Sequence, residues 1–277
     1  MKPEPLYDGQ GVEPAYHLRY DWTGWATAGR TFPKEMKEIV GGLREAWEGD
    51  GLRVLELACS DRQVQALCSV KPRVSPTFFA ARLKGRIQNA IREGACAFSF
   101  SRKLAVRSIG DNSTADVQRY ILRQAGKERL ADVRFRDVLR QITVADAAVD
   151  LSLPTETLSG RYWYNLHLVL VTAERFRIAD AAWLDKIRDQ SVRIAEKKGH
   201  AISRLAVMPD HLHIALRANV EHSPQDVALA FQNNLAYALN QCRVWKDTYY
   251  VGTFGEYDMD AIRRSVKMKE RGVRHVP

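Results

Sequence analysis

The apolar positions along the chain fall into two runs of the same order. In the first, residues 16–20 (Tyr16-His17-Leu18-Arg19-Tyr20) read as a strand. Residues 32–47 follow with Met36, Ile39, Val40, Leu43 and Trp47 at helical spacing. Strands are expected at 52–57 and 63–68. Ser75-Pro76 then opens a helix over 78–91, the serine able to cap and the proline suited to the first turn. Ser108-Ile109-Gly110 precedes a polar turn and another helix. The second run repeats these landmarks: a strand at 165–172, a helix at 182–196 carrying Trp183, Ile187, Val192 and Ile194, and strands at 201–207 and 211–216. Ser223-Pro224 opens a helix over 227–239, and Thr253-Phe254-Gly255 stands before a terminal helix.

The order strand–helix–strand–strand–helix, then a last helix, occurs twice, which predicts a duplicated α+β domain. The expected boundaries are 1–127 for the first unit, 128–158 for a linker and 159–277 for the second. The linker ends in Leu153-Pro154-Thr155-Glu156-Thr157, although 133–139 and 147–153 are patterned enough to pack.

Composition narrows the function. With 45% hydrophobic and 27% charged residues, the 277-residue chain is neither disordered nor collagen-like nor a disulfide scaffold. A formal charge of +9 favours polyanionic partners, nucleic acid first. No apolar run approaches a membrane span and Met1-Lys2-Pro3-Glu4-Pro5 begins no signal peptide, so no membrane partner is expected. The four cysteines show no C-x-x-C pairing. Cys59 and Cys96 lie in apolar surroundings, where buried reduced thiols and a cytoplasmic compartment are expected. No phosphate-binding glycine loop points to nucleotide-driven work.

The sharpest chemical signal is Pro209-Asp210-His211-Leu212-His213. On a strand His211 and His213 project to one face, where two imidazoles can converge on a cation. The second signal is Tyr120-Ile121-Leu122-Arg123-Gln124, which on a helix places a phenol and an amide one turn apart. A phenol is a competent nucleophile for phosphoryl transfer, and an amide oxygen can complete a metal shell. Each also has a bland reading, as strand or packing residues.

With Leu83-Lys84-Gly85 on the helix and Ser108-Ile109-Gly110 before Tyr120, these residues resemble the single-tyrosine HUH transposases and their REP-associated relatives. The resemblance spans both halves. It implies ferredoxin-like α+β units and a dimer whose sites can be composite, one unit's histidine pair facing the other's tyrosine helix. It implies attack by Tyr120 on single-stranded DNA, leaving a 5′-phosphotyrosine and a free 3′-hydroxyl. His211, His213 and Gln124 would hold a divalent cation, usually Mg²⁺, with Mn²⁺ tolerated by such ligands. The partner implied is single-stranded DNA with hairpin-forming ends.

The two halves depart from that pattern in opposite ways. Aligning Ser75-Pro76 with Ser223-Pro224 puts Gln63 and Gln65 where the second half has His211 and His213; aligning Asp61 with Asp210 puts Arg62 and Val64 there. Ten residues separate Gly110 from Tyr120 and Gly255 from Ser265, so Ser265 and Lys269 replace Tyr120 and Gln124. Sites shared across the halves would leave one complete: Tyr120 and Gln124 with His211 and His213. The expectation is therefore two tandem ferredoxin-like HUH domains in an intramolecular pseudo-dimer, one chain with one working centre. Alternatives are a non-catalytic DNA-hairpin-binding regulator and a metal-dependent phosphodiesterase using water.

DNA would be tracked by Arg82, Lys84, Arg86 and Arg92 on one helix, by Arg102, Lys103 and Arg107 after it, and by Arg175 in the second half. Arg263, Arg264, Lys267, Lys269, Arg271 and Arg274 continue the basic set. Trp22, Trp25, Tyr249 and Tyr250 are either base-stacking platforms or core. His167 reads as a residue inside the sheet, and His200, His222 and His275 as surface or loop positions.

Overall fold

The computed structural model describes residues 4–93, 98–130, 132–240 and 243–256. They form a mixed α+β molecule with two six-stranded sheets. One runs in space Leu52–Cys59, Gln63–Val70, Arg19–Ala26, Phe100–Ile109, Arg161–Trp163, Thr155–Glu156. The other runs Glu13–His17, Thr248–Thr253, Asn165–Val171, His211–Arg217, Ala201–Val207, Val144–Ala145.

Side-chain alternation gives each sheet one apolar face. In the second, Leu166, Leu168, Leu170, Leu212, Ile214 and Leu216 are buried and point to one side. The helices Ala181–Lys198 and Pro224–Ala238 pack on this sheet. Ser223 and Asp226 form a reciprocal capping box with Pro224 in the first turn, as the Ser-Pro signature predicts. In the first sheet the helix Pro76–Glu93 plays the same part, with Phe79, Leu83, Ile87 and Ile91 buried. One continuous core joins both halves.

The halves exchange strands. Glu13–His17 pairs parallel with Thr248–Thr253 of the second half; after Leu18 the chain crosses over and Arg19–Ala26 enters the first sheet. Reciprocally, Arg161–Trp163 pairs parallel with Phe100–Ile109, and after Tyr164 the chain enters the second sheet as Asn165–Val171. The single strand expected at 16–20 is thus two strands in two sheets. The stretch expected as a linker at 128–158 holds a helix, Arg134–Gln141, and gives the short strand Val144–Ala145 to one sheet and Thr155–Glu156 to the other.

The helix expected over 32–47 is two, Met36–Gly42 and Arg44–Asp50, divided at Leu43 directly after Gly41-Gly42. Paired glycines lower helix propensity by about 1 kcal/mol each relative to alanine, enough to let the chain turn there. Cys59 is half-buried, and it is Cys68 that is fully buried; Cys96 lies outside the described residues. No helix among the described residues is long and apolar enough to cross a membrane. The terminal helix expected after Gly255, with Ser265 and Lys269, lies outside the described residues.

Candidate active site

His211–Arg217 runs between Asn165–Val171 and Ala201–Val207. Leu212, Ile214 and Leu216 fill the core side, so His211 and His213 stand on the opposite face. Their rings are 5.0 Å apart between centroids. Each is held from behind through Nδ1. His211 Nδ1 lies 2.6 Å from Asp210 Oδ1, and His213 Nδ1 lies 3.1 Å from His167 Nε2. Asp210 is itself anchored by Arg175 Nη1 at 3.1 Å. Burial works against the charge on Asp210, yet the hydrogen bonds from His211 and Arg175 hold its carboxyl below the usual range.

With both Nδ1 atoms engaged, Nε2 of each histidine is the nitrogen left to act. A carboxylate or a second ring behind a histidine is what fixes the tautomer of a metal-ligating imidazole. Burial, reinforced by the neighbouring His167, His211 and Lys127, pushes His213 down to about 2. Burial likewise pushes His167 down to about 4. Both rings are neutral at physiological pH, the form that binds a cation. His211 and His213, each anchored through Nδ1 and with rings 5.0 Å apart, offer two Nε2 atoms that fit a divalent metal. Among the described residues, no group of three or more His, Cys, Asp or Glu is placed to hold one. A third ligand would have to be of another type, which is the part expected of Gln124.

The tyrosine reaches this face from the other half. The helix Thr114–Leu122 packs on Ala201–Val207 and His211–Arg217. Its start is tied to the second half: the Thr114 N–H donates to the Gly255 carbonyl at 3.0 Å, and Ser113 caps the helix by accepting from the Asp116 N–H at 3.2 Å. Farther along, Gln118 Nε2 donates to Ser203 Oγ at 2.7 Å. Val117 and Ile121 are buried, while Tyr120 is 43% exposed. The Tyr120 ring stands edge-on to His213 with centroids 5.4 Å apart, and 6.1 Å from His167. Lys127 Nζ sits 4.6 Å from the centre of the same ring.

Gln124 is less simply placed. The helix ends at Leu122, and a short helical turn, Gln124–Lys127, begins after Arg123. Gln124 is buried and its Nε2 donates back to the Tyr120 carbonyl at 3.0 Å, which leaves the amide oxygen as the atom able to face a cation.

The structure thus brings Tyr120, His211 and His213 together, with Gln124 one turn beyond the tyrosine. It adds His167 and Lys127, to which sequence reasoning gave no part in the site. His167 had a legible signal: it is the polar position between Leu166 and Leu168, on the face that His213 shares. Lys127 falls at the helical spacing 120, 124, 127.

The expected DNA-binding residues are scattered and partly engaged. Arg82 lies over the Phe78 ring, Lys84 Nζ donates to the Ser101 carbonyl at 2.9 Å, and Arg86 pairs with Asp50 at 2.7 Å. Burial holds the Lys84 ammonium below its usual range. Arg175 serves Asp210. Trp22 and Tyr249 are core, while Trp25 and Tyr250 remain accessible. His200, expected at the surface, is buried: its Nδ1 accepts the Asn219 N–H at 3.0 Å, and burial pushes the ring down to about 4. Residues 263–274 and His275 lie outside the described residues.

Residues 161–269 match the model of a family described as IS200-like transposase. Among solved structures the chain is similar to a candidate transposase from Deinococcus radiodurans R1, at 22% identity over 40% of this chain and 92% of that one, with a TM-score of 0.30. It is also similar to a protein of unknown role from Galdieria sulphuraria, at 10% identity over 86% and 98% of the two chains, TM-score 0.20. No curated protein matches the chain.

Proposed function

We propose that this chain, whose residues 161–269 match the IS200-like transposase family, nicks and rejoins single-stranded DNA through a 5′-phosphotyrosine, at one composite centre. The observation that carries this reading is the 5.4 Å between the ring of Tyr120, from the first half, and that of His213, from the second. The two halves act as a fused pseudo-dimer of HUH units, and the strands they exchange hold the tyrosine helix over the histidine face. The DNA recognised is single-stranded with hairpin-forming element ends.

In the reaction Tyr120 Oη bonds to the scissile phosphorus, the bond from phosphorus to the 3′-oxygen breaks, and that oxygen leaves as a 3′-hydroxyl with a proton. Rejoining reverses the step with another 3′-hydroxyl and needs no ATP, because the phosphotyrosine conserves the diester bond. His211 and His213, through Nε2, and Gln124, through its amide oxygen, would hold a divalent cation, Mg²⁺ or Mn²⁺. Such a cation, when bound, withdraws charge from a non-bridging phosphate oxygen. Asp210 and His167, through their contacts with Nδ1, aim the two imidazoles.

The test is incubation with labelled single-stranded DNA from the gene's flanks and Mg²⁺, followed by denaturing electrophoresis. A protein-linked fragment is expected, and Tyr120→Phe abolishes it while DNA binding stays within about twofold. Cleavage that persists in the Phe variant would point to a water-using phosphodiesterase. Binding without any adduct in the unaltered protein would leave only a hairpin-binding regulator. Either result overturns the proposal.

A further inference from the structure

The histidine-bearing face of the second sheet has a counterpart in the first, where the residue types differ. Strand register fixes the correspondence. His167 stands opposite Ala215 and Gly252, as Asp21 stands opposite Leu67 and Arg107. Gly252 in turn faces His17, as Arg107 faces Trp163. Two residues along the neighbouring strand, Gln65 takes the place of His213 and Gln63 that of His211.

This face holds no imidazole pair, but it is built of other groups. Gln65 Nε2 donates to Asp21 Oδ1 at 2.8 Å where His213 meets His167. The Arg107 guanidinium lies 4.2 Å from the centre of the Trp163 ring. Trp163 Nε1 donates to the Ser152 carbonyl at 2.7 Å, which fixes the plane of the indole. Beside them opens a cavity of about 390 Å³ bounded by Trp25, Arg102, Lys103, Arg107, Arg161 and Trp163. Glu156 is the one carboxylate among its described lining residues, and it is bound to Arg161 at 3.0 Å. Arg102, Lys103 and Arg107 therefore leave the cavity with an excess of positive charge.

Two indoles among cations match a nucleotide: a π-face for the base and guanidinium or ammonium groups for the phosphates. The volume is that of a small-ligand site. A paired base offers no free π-face, so the occupant must be unpaired. We propose that this altered face binds an unpaired nucleotide of the single-stranded DNA that the chain processes. The inference rests on the reading of single-stranded DNA as substrate, and gives the half without the histidine pair a task in holding the strand.

The probe is a labelled oligothymidylate of twelve nucleotides, read by fluorescence anisotropy over a salt series, together with an iodouracil-substituted version for photocrosslinking to the full chain. Replacing Arg102, Lys103 and Arg107 together by glutamine is expected to weaken binding at least tenfold. The slope of log K against log salt should fall by about 2, the share of three phosphate contacts on a single strand. Trp25→Ala should cost about tenfold, and crosslinks should map to Trp25 or Trp163. Affinity within twofold of the unaltered protein in the triple variant, with crosslinks elsewhere, overturns the proposal. If that variant also forms the Tyr120 adduct normally, the pocket fails alone. Crosslinks at the pocket in a chain that forms no adduct refute the catalytic reading and leave the pocket standing.

Discussion

In the proposed reaction Tyr120 must lose its proton as it attacks, which places transient negative charge on a phenol whose ring neighbours are one cation and two neutral imidazoles. Lys127 Nζ, 4.6 Å from the ring centre, is the nearby positive charge that opposes it, because burial keeps His167 and His213 uncharged. Lys127→Gln should slow single-turnover adduct formation about tenfold, or ~1.4 kcal/mol, and leave DNA affinity within about twofold. Lys127→Arg should recover most of the rate; equal losses in both variants would mean that the side chain only packs. Tyr120 and the histidine pair were legible in the sequence, because a strand period and a helical period each leave a visible mark. His167 was visible as a polar break in an apolar alternation, but nothing local says which residue its ring will meet. Lys127 was hidden among many exposed cations. His200 misled because it follows Gly199, a helix-ending glycine at φ 69°, and chain ends of helices usually face water; here the Asn219 amide draws it inward.

At the scale of elements, the tyrosine helix hangs from the seam where the two halves exchange strands. A Cβ on Gly110 would come within 2.3 Å of the Thr253 carbonyl oxygen, and one on Gly255 within 2.4 Å of the Ser108 carbonyl oxygen. Both obstacles are backbone and cannot rotate away. Around them Ser108 Oγ accepts the Asn165 N–H at 3.2 Å, and Thr253 Oγ1 accepts the Arg19 N–H at 2.9 Å. Gly110→Ala should therefore destabilise the chain by about 2 kcal/mol, seen as a lower urea midpoint with unchanged slope. Because Thr114 begins the helix by bonding to Gly255, the surviving folded protein should also lose adduct-forming activity. An unshifted midpoint would mean that the seam can open. Strand and helix types were readable throughout this region, since Ser108-Ile109-Gly110 and Thr253-Phe254-Gly255 mark both copies. The exchange was not. Alternation says which face of a strand is buried, but it does not say which sheet supplies its neighbour.

For the molecule as a whole, the consequence of this seam is that the tyrosine of a chain meets the histidines of the same chain. Order and spacing of the repeated landmarks predicted a duplication, and the unequal losses in the two halves suggested shared sites; the crossings at Leu18 and Tyr164 supply a physical route for sharing without a second molecule. That route makes a sharp prediction. His213→Gln is a mild change, since the first half already carries Gln65 at the corresponding position. Neither Tyr120→Phe nor His213→Gln alone should form an adduct. An equimolar mixture, even after joint unfolding and refolding, should remain below about one hundredth of the unaltered rate, because each chain closes on its own defective partner. Recovery toward a quarter of that rate would instead mean that tyrosine helices pass between molecules. The continuous core argues for closure within the chain: Tyr20 from one half and Tyr164 from the other meet edge-on, with centroids 6.0 Å apart, at the crossing point. Both are fully buried, so opening the seam to exchange partners would expose two aromatic side chains to water, at a cost of about 2 kcal/mol each.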